Sequence, residues 1–438
     1  MFGFGLPPAA PKLVSLLEEP NPSLQAILSD DSCIRAFRQN FTSLSKFINE
    51  RAVEVLACAL SNDPNALRAY QLFGVENDSL LITISNTPSW LDEVSKEVFN
   101  ENPDEVYINR FAHITELIAL KKPSLLFKDV SYVDKFFPYI HLRAVYGIFE
   151  SLFVITELSL DEVQNQMSSS DFLEKLLDYL KSISDSQDPY TEGRASSIYK
   201  LISLMSNSDK MKPKVQDPKI IPKLLLNFAI SDPRILENKW QAVYDVLSES
   251  TANLLMPEIN TIIGFLDFEN TYYPHQVIAI NLLVKLALNL EEVRKILEGA
   301  HIEDKFVAIL QHFPQYTFAH LAIKNYCIQL KDYKELSVPV IKKIIDFANI
   351  AICDDTTAVV TRAIIWELVA ECKKQDVLQD PIAGLSDTAK EILNNLDKLS
   401  ETQYGGEVPE NQPVGDDGLS SLTPEQIMTL LRFLTSGH

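Results

Sequence analysis

His113 and Glu116 stand three residues apart, a spacing that places an imidazole and a carboxylate on one face of a helix. Such a pair can supply two metal ligands. The second histidine of an H-E-x-x-H site is missing, so the pair reads as solvated polar residues. His141 lies at the apolar edge of its segment and reads as a core histidine bonded to a backbone carbonyl. His312 and His320 bracket FPQYTFA with no acid between them. Asp354 and Asp355 beside Cys353 read as a helix cap. The pairs Glu18-Glu19, Asp30-Asp31, Glu291-Glu292 and Asp416-Asp417 are expected by chance in an acidic chain and read as solvated faces. Trp90, Trp240 and Trp366 sit in apolar stripes and read as core. No spacing brings a nucleophile to a base.

The glycine count narrows the chemistry further. There are 13 glycines in 438 residues, well under the ordinary share of about 7%. Gly3, Gly5, Gly405, Gly406, Gly415 and Gly418 are among those that lie near the ends. Phosphate-cradling loops need glycine for tight turns and close backbone approach. Neither G-x-G-x-x-G, a Walker loop nor G-x-S-x-G occurs. The reading is non-catalytic, with no cofactor and no metal.

The five cysteines are widely spaced and odd in number, which predicts reduced thiols and a cytoplasmic or nuclear location. The start MFGFGLPPAAPKLV lacks the basic and apolar regions of a signal peptide, and charge interrupts every apolar run before membrane-spanning length. The net charge of −21 disfavours nucleic acid and anionic membranes and admits basic protein partners.

Apolar residues recur at helical spacing. Leu142, Val145, Phe149, Leu152 and Phe153 form one side of a helix, with Arg143, Gly147 and Glu150 opposite. Phe111, Ile114, Leu117 and Ile118 form another stripe, with Asn109, His113 and Glu116 facing away. Leu282, Leu283, Leu286 and Leu290, and later Ile364, Ile365, Leu368 and Val369, continue the style. The phrases EPNPS (19–23), SNDPN (61–65), NENPDE (100–105), SDSQDP (184–189) and SDPR (231–234) break the chain. Several double as helix starts, with Asp or Ser as cap and Pro in the first turn. Roughly 18 helices of ordinary length follow from this pattern. LLITISN (80–86) is the best strand candidate and reads equally as a helix end.

Short helices with single apolar stripes must stack to bury them. The expectation is an all-α, degenerate armadillo/HEAT-like helical-repeat solenoid over 1–395, with a large irregular helical bundle as the alternative. No crisp sequence repeat is visible. From 396 to 421 the chain turns acidic and glycine-bearing, without apolar anchors, and is expected to be a disordered linker. Residues 422–438 then form a short amphipathic helix. Thr423, Pro424 and Gln426 suit its start, and Ile427, Leu430, Leu431 and Leu434 share one face. That face fits a partner's groove, or an end of the chain's own helical array.

Residues 1–155 resemble the SAPS family, regulatory subunits that bind the catalytic subunit of type-2A-like serine/threonine phosphatases such as protein phosphatase six. The carrying phrases are MFGFG, then SLQAILSDDSCIRAF and RQNFTSLSKFI, then TELIALKK, SYVDKFF and YIHLRAVYGIFESL. The last phrase departs from the family's H-I-G-T-S-A-like turn: Tyr139 replaces its histidine, and only Ile140 and Ala144 keep the pattern. The resemblance fades over 156–350. It implies a helical scaffold that holds a phosphatase catalytic subunit and directs it to substrates. Its partner-facing residues would be Asn109, His113, Glu116, Tyr139, His141 and Arg143. A general helical-repeat adaptor in transport or trafficking, with no phosphatase partner, is the alternative.

Overall fold

The computed structural model describes residues 11–75, 78–121, 132–154, 161–229, 232–351, 359–374 and 385–401. No strand occurs among them, and the fold is all-α. LLITISN belongs to the helix Ser79–Ser85. The helices are more numerous and often shorter than the sequence pattern suggests; Leu24–Leu28, Lys212–Val215 and Ile220–Leu224 span a single turn or little more.

Contacts divide the chain into two compact units, residues 1–340 and 341–438. The first is built on a row of six longer helices: α1 (Glu105–Lys121), α2 (Arg143–Val154), α3 (Thr191–Met205), α4 (Pro233–Val246), α5 (Pro274–Asn289) and α6 (Thr317–Gln329). Each packs against the next. Their first residues are separated by 38, 48, 42, 41 and 43 positions. Three of these intervals fall within the HEAT and armadillo period of about 40–47 residues and the other two lie within two residues of it, and neighbour-to-neighbour packing is how such repeats bury their stripes.

Side-chain bonds keep the same period. Arg68 reaches the Leu28 carbonyl 40 residues back, and Tyr70 meets His113 across 43. Lys175 bonds Asp134 across 41, and Arg234 bonds Glu192 across 42. Lys285 donates to the Tyr244 carbonyl across 41. Several of these cations end on carbonyls in the last turn of a preceding helix. Arg110 does so at Ala59, the last residue of Ala52–Ala59. Carbonyls there lack intrahelical donors and carry the negative end of the helix dipole.

The breaks use acid in the same repetitive way. Asp30, Asp63, Asp104, Asp188, Asp217 and Asp232 each accept the backbone N–H two residues on. Such Asx turns end one helix and launch another. At SDPR, Asp232 is the cap and Pro233 takes the first helical position, as the phrase predicts.

The apolar stripes form the core. Phe111, Ile114, Ile118, Val145, Phe149, Leu152 and Phe153 are buried, while Leu117 and Leu142 are only half-buried. Gly147 corrects the helical-wheel assignment: it is buried, because the side of α2 that carries it lies against Glu116 of α1. Of the tryptophans, Trp240 is core and Trp90 and Trp366 are half-buried. Cys33, Cys58, Cys327 and Cys372 are buried and outside any disulfide. Burial pushes the Cys33 and Cys372 thiols up to about 12, so neither offers a thiolate near neutral pH.

In the second unit, Ile344, Ile345 and Ala348 of Lys334–Ala351 are buried, as are Ile364, Ile365, Leu368, Val369 and Cys372 of Val359–Lys374. The Ser386 N–H, just before Asp387–Glu401, donates to Asn349 Oδ1 at 2.7 Å. That last helix runs across the expected boundary at 395. Residues 402–438, including Ile427, Leu430, Leu431 and Leu434, lie outside the described residues, as do Cys353, Asp354 and Asp355. Among the described residues, no helix is long and apolar enough to cross a membrane.

Candidate partner-binding surface

The six residues singled out in the sequence fall on two consecutive row helices and the turn between them, where they separate into three settings. Asn109, His113 and Glu116 lie on α1. Asn109 is half-buried and turned onto its own helix, donating to the Glu105 carbonyl at 2.9 Å. His113 and Glu116 are not the solvated pair that their spacing suggests, because α1 has the helix Ala66–Phe73 on one side and α2 on the other. The Tyr70 hydroxyl meets His113 Nδ1 at 3.0 Å from the N-terminal side, with the rings edge to face. From the C-terminal side the Ser151 hydroxyl donates to Glu116 Oε1 at 2.5 Å. One residue therefore bonds backward along the row and the other forward. The same logic recurs later, where Ser203 of α3 bonds Asp245 of α4.

Tyr139 ends the 3-10 helix Val133–Tyr139. It is half-buried and stacks on Phe99 with ring centres 5.8 Å apart. His141 follows in the turn and stacks on Tyr190 at 4.6 Å. Here the expectation of a carbonyl-bonded core histidine fails: both ring nitrogens are buried without a hydrogen-bond partner. Burial, reinforced by the Arg194 charge, holds the His141 pKa below the ordinary histidine value, so the neutral ring is the packed form. Arg194 carries the polar work in this turn. Its Nε donates to the Pro138 carbonyl at 2.6 Å and its Nη1 to Asp188 at 3.0 Å. Arg194 was not legible from spacing, because its partners lie 56 and 6 residues away.

Arg143 differs from the other five. It opens α2, and its side chain is 80% exposed. It pairs with Glu150 at 2.8 Å and lies over the Tyr146 ring at 6.0 Å. An exposed pair of this kind contributes little to stability, which leaves its guanidinium available to a carboxylate on another protein.

The structure thus brings Glu116 of α1 and Ser151 of α2 together, and it sets Tyr139 and His141 into packing. Among the described residues, His301, Glu303 and Asp304 are close enough to share a cation; they lie at the start of Ile302–His312 and are exposed or half-buried.

No protein-family model matches the chain, and no curated protein does. Among solved structures, the chain is similar to the crystal structure of an engineered protein. Identity there is 14% over 89% of this chain and 98% of the other, with a TM-score of 0.44.

Proposed function

We propose that this chain is a non-catalytic scaffold that binds the catalytic subunit of a type-2A-like serine/threonine phosphatase and directs it to substrates. The reading is supported by the SAPS-like phrases of residues 1–155, of which TELIALKK overlaps α1, SYVDKFF the 3-10 helix Val133–Tyr139, and YIHLRAVYGIFESL α2. The helices that carry them turn their apolar stripes inward and leave Arg143 exposed at 80%. A row of stacked repeats presents a long surface built from many helices, and the scaffold reading uses that surface rather than a pocket. Non-catalytic action fits the placement of the polar groups, since His113, Glu116 and Arg194 are engaged with neighbouring helices.

The test is affinity purification of the tagged full chain followed by mass spectrometry. The proposal expects a phosphatase catalytic subunit as the dominant partner. A dominant partner of another kind, with no phosphatase subunit above background, overturns it in favour of a general helical-repeat adaptor.

A further inference from the structure

Between the helix Ile259–Gly264 and α5 the chain folds around a cleft of about 510 Å³. Its walls are aromatic. Phe265 meets the His275 ring edge-on at 5.1 Å, and Tyr273 lies parallel to the same ring at 5.8 Å. Its rim is acidic, with Asp267 and Glu269 among the lining residues. Lys305 neutralises Asp267. Glu269 is exposed and has no ion pair among the described residues.

The cleft is held in shape from beneath. Buried Gln276 accepts the Tyr273 N–H at 2.6 Å and donates to the Phe265 and Asp267 carbonyls at 2.7 and 3.1 Å. One side chain therefore fixes both ends of the loop. His275 lines the cleft and is only 7% exposed, yet its Nδ1 has no hydrogen-bond partner. The nitrogen itself has no accessible surface, so the cleft meets the ring rather than Nδ1. Burial holds His275 below the ordinary histidine pKa, so the ring is neutral and one of its nitrogens is an acceptor.

An exposed tyrosine face and an unpaired carboxylate, beside an imidazole that carries no charge, call for a flat cation that donates hydrogen bonds. A guanidinium answers both: it stacks on aromatic faces, forms forked bonds to carboxylates and sheds water more readily than an ammonium. The chain's net charge of −21 draws basic segments toward it. We propose that this cleft binds an arginine side chain presented by a basic, extended segment of a protein partner. The site is independent of the phosphatase reading and lies on α5 rather than at Arg143.

The experiment is fluorescence anisotropy of the full chain with a labelled glycine-serine decapeptide carrying three arginines, beside its lysine and glutamine counterparts. The arginine peptide should bind best, with the lysine peptide about threefold weaker and the glutamine peptide weakest. Glu269→Gln and Tyr273→Ala should each weaken the arginine peptide by about fivefold or more, with unchanged melting. Glu174→Gln, at an exposed acid on another helix, should leave it unchanged. Equal binding of the arginine and glutamine peptides overturns the proposal, as does equal binding of arginine and lysine. An unaltered affinity in Glu269→Gln also overturns it. So does an equal loss in Glu174→Gln, which would mean diffuse attraction to an acidic surface.

Discussion

Phe149 tests whether the packing between row helices and the short helices beside them carries the stability of the first unit. The ring is fully buried. It closes a triangle with Phe137 of the 3-10 helix and Phe172 of the helix Phe172–Ser182, at centre distances of 6.1 and 5.7 Å; those two lie 5.6 Å apart. Phe149→Ala removes one vertex and leaves a cavity joining three elements. Burial of a phenylalanine and the cavity left by its loss amount to about 3–5 kcal/mol. The two lost ring contacts place this site in the upper half of that range, about 4–5 kcal/mol. A unit of 340 residues at about 2.1 cal/mol/K per residue has an unfolding entropy of about 0.7 kcal/mol/K. The expected fall in Tm is therefore about 6 °C, read by far-UV circular dichroism. Phe318→Ala is the matched control, because Phe318 is 71% exposed, and it should shift Tm by about 1 °C or less. If Phe149→Ala melts like Phe318→Ala, the aromatic triangle does not hold these helices together and the packing argument fails.

Further outcomes follow at four single sites. Lys239 is 6% exposed, donates to the Leu226 carbonyl at 2.8 Å, and has its pKa pushed down to about 8 by burial. The unfolded chain keeps that proton to a higher pH, so this group adds stability as pH rises from about 8 toward about 10.5. Relative to Lys239→Met, wild type should gain about 3 kcal/mol over that window in denaturant melts; a pH-independent difference would contradict the burial. Gly147→Ala should be neutral or raise Tm by about 1 °C, since a Cβ there meets Glu116 Oε1 at 3.6 Å, an ordinary contact, and a helix-interior glycine is replaced. Gly193→Ala should lower Tm, because its Cβ would lie 3.1 Å from that of His141, and the reverse order would refute the positions of these helices. Arg194→Met removes the bonds to Pro138 and Asp188 and should cost about 2 kcal/mol by denaturant titration. Arg194→Lys should recover little of that loss, since lysine lacks the forked donors.

The helical class was legible because the apolar spacing of stripes such as Val145-Phe149-Leu152 has no strand counterpart. The repeat was not legible, and the reason is physical. Its period resides in which residues meet, as in Arg68 with Leu28 or Lys285 with Tyr244, and different residue types make equivalent bonds in successive repeats. Gly147 misled a two-sided helical wheel because α2 is enclosed by neighbours on more than one side. His113 and Glu116 looked solvated for the same reason: a row helix has its polar residues met by the helices before and after it. The breaks SNDPN, NENPDE, SDSQDP and SDPR were recognised, and Asp63, Asp104, Asp188 and Asp232 accept backbone N–H groups in them; Asp30, read as a solvated acid, is instead buried and accepts the Ser32 N–H. The cleft at Tyr273 and Glu269 gave no sequence signal, since its walls are set by Gln276 reaching back to Phe265 and Asp267.

Under the proposed function, the exposed start of α2 belongs to a surface that captures a phosphatase catalytic subunit. The direct measurement is binding of a purified type-2A-like catalytic subunit to immobilised wild type and Arg143→Glu, with a thermal melt of each. Arg143 is exposed and its ion pair to Glu150 is on the surface, so the melts should agree within about 1 °C. The account predicts capture by wild type and at least about a tenfold loss in the variant, the scale of a reversed charge at an interface. No capture by wild type, or equal capture by both proteins, would contradict it.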